Sequence, residues 1–301
     1  TGGTRGLGLL TGRWLAQRGA RALLLASRSG ALSLDATAEW EQLRESGASA
    51  LVEWCDAAEA VHVRRLVALA QGLPPLVGVW HAAGVLADGL LPKQSSATLA
   101  HVSAPKAHGA WALHMCSAAL PLRACALFSS TAALLGSPGQ ANYSAANACL
   151  DALGTQRRAH DRACVSVQWG AWAEVGMAAR GAASERMAAM EAASGLGRLS
   201  VAQGLAALGA AVLPRAPTPL GVMRVQWHRM LGDVGAVPAL LSEMAPSASV
   251  ASSAPSAAAV QRGACAVSLE AVLEVVKRVA GGAVDADVPL MEAGVDSLGA
   301  V

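Results

Sequence analysis

Gly2, Gly6 and Gly8, in the opening TGGTRGLG, keep the spacing T-G-x-x-x-G-x-G. Glycines so placed let the backbone take positive φ and approach a pyrophosphate closely, while the amides and dipole of the helix that follows meet its charge. Thr4 and Leu7 belong to the same turn and are counted with it as cofactor-binding. A glycine turn of structural purpose alone carries the same signature, so the motif needs company. It has some downstream. The run ALLLA leads into Ser27-Arg28. An acidic residue there would bind a ribose 2′-hydroxyl, whereas arginine suits a 2′-phosphate, which points to NADP(H) over NAD(H). The next run ends in Cys55-Asp56, where a carboxylate can face the adenine amine. The only tyrosine of the chain, Tyr143, stands thirteen residues after Ser130 and four before Asn147. Tyr143 and Asn147 would share a helix face, and Ser130 would close a strand whose carboxyl end looks into a dinucleotide crevice.

These residues need a frame of alternating strands and helices. Strands are expected at Ala22–Ala26, Ala50–Trp54, Leu76–His81, Ala124–Ser129, Cys164–Trp169 and Leu220–Trp227. Amphipathic helical stretches lie between them, among others at Leu9–Arg18, Val63–Gln71, Ala104–Ala118 and Ala141–Arg158. The alternation is that of an α/β fold, a doubly wound parallel sheet of Rossmann type with helices on both faces. Such a sheet has a central strand ahead of its glycine turn, so the reading expects that strand to lie upstream of Thr1 and this chain to be a fragment. Without it, neighbouring strand edges would be unpaired and the chain poorly soluble.

Composition narrows the function classes. The net charge is +2 and no dense Lys/Arg run occurs, which argues against nucleic acid as a partner. The longest apolar stretches, such as Leu205–Leu213, fall well short of a bilayer span. The six cysteines form no CxxC pair and no metal-ligand spacing with the seven histidines. They are read as reduced, mostly buried thiols of a cytoplasmic protein, with no metal site.

The stretches TGGTRGLG (1–8), LASRSG (25–30), HAAGVLADGLL (81–91), PKAHGAW (105–111), LFSSTAALLGSPGQANYSAANACLDAL (127–153) and VQWGAWAEVGMA (167–178) together resemble the ketoreductase domain of modular (type I) polyketide synthases, a branch of the short-chain dehydrogenases/reductases. The likeness covers nearly all of residues 1 to about 230. Ordinary short-chain reductases have lysine where this chain has Asn147. The polyketide branch is similar to what stands here, with asparagine on the tyrosine helix and the lysine, Lys106, 37 residues before Tyr143. The resemblance implies NADPH-dependent reduction of a β-ketoacyl thioester. Tyr143 would give the ketone oxygen its proton, and Lys106 with the nicotinamide ring would lower the phenol pKa from its free value near 10. Ser130 would hydrogen-bond the ketone oxygen, and Asn147 would hold the lysine or a relay water. Ala82, Ala83 and Gly84 join the cofactor-binding residues. Leu86-Ala87-Asp88 is similar to the branch's Leu-Asp-Asp motif, and Leu135 stands where the opposite stereochemical type has tryptophan. Leu86 and Asp88 therefore imply the B-type, D-hydroxy outcome. Arg5 falls where the family commonly has another glycine, and residues 173–215 resemble a mobile helical cover over the acyl chain.

The composition changes after the reductase stretch. Residues 1–244 are read as the reductase domain, and 245–262, which include the Ala/Ser/Pro run APSASVASSAPSAAA, as a linker. Residues 263–301 are read as the first part of a truncated all-α acyl carrier domain, with Ser268 capping a helix. GVDSLGA (294–300) is similar to the carrier attachment motif, which implies 4′-phosphopantetheine on Ser297. The implied partners are a carrier-bound β-ketoacyl thioester, a phosphopantetheinyl transferase, and the ketosynthase and acyltransferase domains of a homodimeric parent synthase. Two other readings stay open. One is the reductase–carrier segment of a type I fatty acid synthase; the other is a catalytically silent, architectural reductase domain.

Overall fold

The computed structural model describes residues 1–72, 75–179, 191, 195–232 and 237–245. Most of the linker and all of the expected carrier segment, Ser297 included, lie outside the described residues, as do residues 180–190 of the expected cover. The elements alternate as follows: α1 (Gly6–Gln17), β1 (Ala22–Ser27), α2 (Thr37–Glu45), β2 (Ser49–Trp54), α3 (Ala60–Gln71), β3 (Gly78–His81), α4 (Ser96–Ser103), a π turn (Ala104–His108), α5 (Gly109–Ser117), β4 (Ala124–Ser130), α6 (Ala132–Leu135), α7 (Ala141–Ala159) and β5 (Val165–Trp169). After them come β6 (Leu196–Gly197), α8 (Val201–Ala211), β7 (Leu220–Val222), β8 (Arg224–Val225) and α9 (Trp227–Gly232).

Strands β3, β4, β5 and β7 form a parallel sheet in that order, and β1 pairs in parallel with β2. Every residue of β5 is buried, because helices cover both faces of a parallel sheet. The expected strand Leu220–Trp227 divides in two at Met223: β7 extends the parallel sheet, while β8 turns away to pair antiparallel with β6, and Trp227 opens a helix. The expected helix Ala104–Ala118 also changes character, passing through the π turn before it becomes α5.

Strands β1 and β3 belong to separate sheets and are not hydrogen-bonded to each other. Thr1–Gly3 joins them at one end. The Thr1 nitrogen donates to Trp80 O (2.8 Å), Ala82 N to Thr1 O (3.1 Å) and Gly3 N to Ala26 O (3.1 Å). Beside this junction lies an apolar cavity of about 480 Å³, lined among others by Leu23, Leu25, Leu66, Val79, Trp80 and Phe128.

With one phenylalanine in the chain, tryptophan supplies the aromatic core. Phe128, Trp169 and Trp172 pack in succession, the first pair tilted and the second edge-to-face, with centroids 5.7 and 5.1 Å apart, in one cluster with Leu199, Leu208 and Ala211. Helix α8 reaches this cluster because Gly204 presents no side chain to the Trp172 indole; a Cβ there would overlap the ring. Gly204→Ala is expected to destabilise the protein by about 1–3 kcal/mol through overpacking. A urea melt checks this, and an unchanged midpoint would show that the indole can move aside.

Candidate active site

The glycine turn is built by the entry into α1. Gly2 and Gly6 have φ of +67° and +52°, the left-handed region that glycine adopts freely. A Cβ on Gly2 would sit 2.7 Å from the Ala82 carbonyl carbon, and one on Gly8 would collide with the Gly2 oxygen, so both glycines are needed for close backbone packing. Gly6 differs. The nearest atom to its missing Cβ is Gly176 Cα at 3.9 Å, which leaves open space above the first turn of α1. Arg5 is the exposed N-cap of α1 and makes no side-chain capping bond. The first amides of the helix therefore have no side-chain cap.

Ser27 ends β1 opposite Trp54 of β2, and Cys55 N donates to Ser27 O (2.9 Å), which brings Arg28 and Asp56 to the same rim. Arg28 is exposed. The Asp56 carboxylate accepts from Ala58 N (3.0 Å), an arrangement that fixes its direction. Ala82, Ala83 and Gly84 follow β3 and pass beneath the turn. Gly84 leaves room for Lys106, whose Cε would lie 2.8 Å from a Cβ at that position.

The polar set converges at the carboxyl end of β4. Ser130 closes that strand, and its Oγ accepts from Ala132 N (3.2 Å). Helix α7 buries a face made of Asn142, Tyr143, Ala146, Asn147, Leu150 and Leu153, the period of a helix packed on a sheet. That face carries Tyr143 and Asn147 together, as their spacing requires. Lys106 enters from the π turn, fully enclosed, with Nζ donating to Phe128 O (2.8 Å) and standing 5.2 Å from the centroid of the Tyr143 ring. Asn147 is fully buried; its Nδ2 donates to Tyr143 O (2.8 Å), and its Oδ1 has no hydrogen-bond partner.

The acidity of Tyr143 departs from expectation. Burial pushes its pKa above the ordinary 10 and outweighs the hydrogen bonds with Asn147 and Ser130, and the Asp88 carboxylate adds to the rise. The lowering expected from Lys106 does not come through, because burial brings that lysine to about 7 and leaves it neutral where the phenol titrates. Lys106 shows the complementary effect. Burial lowers its pKa to about 7, opposed by the negative charge of Asp151.

The sequence reading missed Asp151. It lies one turn beyond Asn147 and two beyond Tyr143 on α7, and its carboxylate accepts from Ser166 Oγ (2.6 Å) and Gln168 Nε2 (2.8 Å) of β5. The interval of four residues from Asn147 was the available signal. The strip Leu86–Asp88 is fastened to the start of the same helix. Asn142 Nδ2 donates to Ala87 O (2.8 Å), and Gln140 Nε2 donates to both Asp88 carboxylate oxygens (3.2 Å each).

The chain matches the family described as "KR domain" over residues 1–174. It is 44% identical over 187 residues to "Polyketide synthase GfsB" of Streptomyces halstedii, an alignment that covers 62% of this chain and 3% of that protein. Among solved structures it is similar to "PlmKR1-Ketoreductase from the first module of phoslactomycin biosynthesis in Streptomyces sp. HK803", with a TM-score of 0.70 and 35% identity over 82% of this chain and 55% of that one. It is similar also to a structure described as "A-type Ketoreductases from Modular Polyketide Synthase", with a TM-score of 0.69 and 35% identity over 76% of this chain and 47% of that one. The chain thus spans a small fraction of the length of the curated synthase.

Lys106 sheds its proton at about 7 when folded, against 10.5 for the free side chain. Between those values the unfolded chain holds more protons than the folded one, so this group's effect is that stability rises with pH across the window. The melting temperature of wild type minus that of Lys106→Met is expected to grow from about pH 7 to about pH 9 in thermal melts. A constant or shrinking difference contradicts a buried lysine that loses its proton in this range.

Proposed function

The chain belongs to the KR domains of modular polyketide synthases, and on that footing we propose that it reduces the β-keto group of a carrier-bound acyl thioester with NADPH. The observation that carries this reading is the convergence of Ser130, Tyr143, Lys106 and Asn147 at the carboxyl end of β4, with the glycine turn joined to the neighbouring β3 by Thr1.

NADPH supplies the hydride when bound. The residues that would hold it are the Gly2–Gly8 turn and the first amides of α1 for the pyrophosphate, Arg28 for the 2′-phosphate and Asp56 for the adenine amine. Ser130 is placed to donate to the ketone oxygen as negative charge builds there. Tyr143, whose raised pKa keeps the phenol protonated at neutral pH, delivers the proton. Asp151 helps Lys106, which stands against the Tyr143 ring, hold its own proton against burial. The unpartnered Oδ1 of Asn147 is an acceptor available to a water that returns the proton to Tyr143.

We assign the B-type outcome, a D (3R) hydroxyl, to the Leu86–Asp88 strip. Its attachment to Asn142 and Gln140 places it over the start of the tyrosine helix, and Leu135 stands in place of a tryptophan. Ser297 would carry 4′-phosphopantetheine, installed by a phosphopantetheinyl transferase. The thioester would then arrive on a tether from an attached carrier domain, with ketosynthase and acyltransferase domains of a homodimeric parent synthase upstream in the chemistry.

The test is NADPH consumption with a soluble β-ketoacyl thioester, wild type against Tyr143→Phe. The variant keeps the ring that faces Lys106 and loses only the hydroxyl, and its rate is expected to fall by at least about a hundredfold. Equal rates would remove Tyr143 from the chemistry. Chiral chromatography of the product is expected to give the 3R alcohol, and a 3S product overturns the B-type assignment.

A further inference from the structure

His81 is wholly buried at the end of β3, between the glycine turn and the lysine. Its Nε2 lies 3.0 Å from the backbone oxygen of Lys106 and its Nδ1 2.6 Å from the Thr1 hydroxyl. A carbonyl oxygen can only accept, so Nε2 carries the hydrogen. Nδ1 then has its lone pair free and accepts from Thr1 Oγ1. Burial, reinforced by the positive charge of Lys106, holds the ring's pKa down to about 3. The imidazole is therefore neutral at every pH at which the protein would work, and its two nitrogens keep distinct tasks.

The surroundings hold the ring in this orientation. Gly109 closes the Cε1 side, where an added Cβ would lie 3.1 Å away. Thr1 is tied to β3 through its backbone as well, by the bonds to Trp80 O and from Ala82 N. At the other end, Lys106 stands in a π turn, a local departure from the α-helix that frequently marks functional sites. A core histidine needs only some partner for each nitrogen. Here one nitrogen bonds the first residue of the cofactor turn, and the other bonds the backbone of the residue whose ammonium reaches the reacting phenol.

We propose that His81 is a positioning residue that couples the cofactor turn to the lysine, so that the placement of Thr1 and that of Lys106 are set by one rigid, neutral ring. The proposal rests on the reductase reading above, and it extends that reading to a residue that touches neither substrate nor cofactor.

The test uses the full chain and asks the two arms of the ring to separate. His81→Asn keeps an acceptor near the Nδ1 position and loses the donor to Lys106. Its kcat is expected to fall about tenfold, with a smaller rise in the NADPH dissociation constant. His81→Gln keeps a donor near the Nε2 position and loses the acceptor for Thr1, so the weighting should reverse. Loss of both parameters in step in both variants, or of neither, overturns the proposal, because a purely structural histidine would not distinguish the arms. Thr1→Val leaves the imidazole in place and carries the test if the His81 variants do not fold. At saturating NADPH its kcat should drop several-fold through the displaced lysine, and a wild-type kcat refutes the coupling. If wild type itself shows no turnover, the reductase reading has failed. The coupling is then judged by NADPH titration alone, where Thr1→Val and His81→Gln should weaken binding together and His81→Asn should weaken it less; any other pattern overturns it.

Discussion

The site depends on keeping one ammonium group inside a dry interior. Lys106 is enclosed, and an isolated buried cation of this kind is strongly unfavourable. Each neighbour answers part of that cost. Phe128 turns a backbone oxygen toward Nζ, the Tyr143 ring offers its negative face, and Asp151 contributes an opposite charge held by two hydrogen bonds from β5. Gly84 gives the lysine stem its passage by lacking a side chain, and His81 stays neutral, which spares the pocket a second positive charge.

That constraint explains why the elements meet as they do. Phe128 O can reach the lysine because β4 runs to the end of a parallel sheet whose carboxyl edge faces the π turn. Tyr143, Asn147 and the half-buried Asp151 lie on one face because α7 continues for nineteen residues and packs on β4 and β5. The aromatic cluster of Phe128, Trp169 and Trp172 anchors the same two strands from the other side, so the depth of the core and the position of the polar set are linked.

The elements that local pattern decides were readable. Strand–helix alternation, the glycine turn, the shared face of Tyr143 and Asn147 and the strand-end position of Ser130 follow from periods of two and 3.6 residues and from the conformational freedom of glycine. Other features depended on contacts between distant segments. The expected strand over Leu220–Trp227 divides because its first half finds β5 and its second half finds Leu196–Gly197, 27 or more residues away in sequence. The expected drop in the Tyr143 pKa became a rise, since desolvation depends on how completely the neighbours close around the phenol, and the same burial takes the lysine's charge away before the phenol titrates.

Residue identity and spacing by themselves determined the fold class, the glycine turn and the shared face of Tyr143 and Asn147, because these are properties of short segments and their order. Only the tertiary structure decided which groups share an environment. It placed Asp151 and His81 beside the lysine story, left Arg5 exposed at the mouth of α1, and opened space above Gly6 instead of filling it. The physical reason is that pKa values, hydrogen-bond pairing and free volume are set by atoms brought together across 25 to 80 residues of chain, and no local pattern encodes those distances.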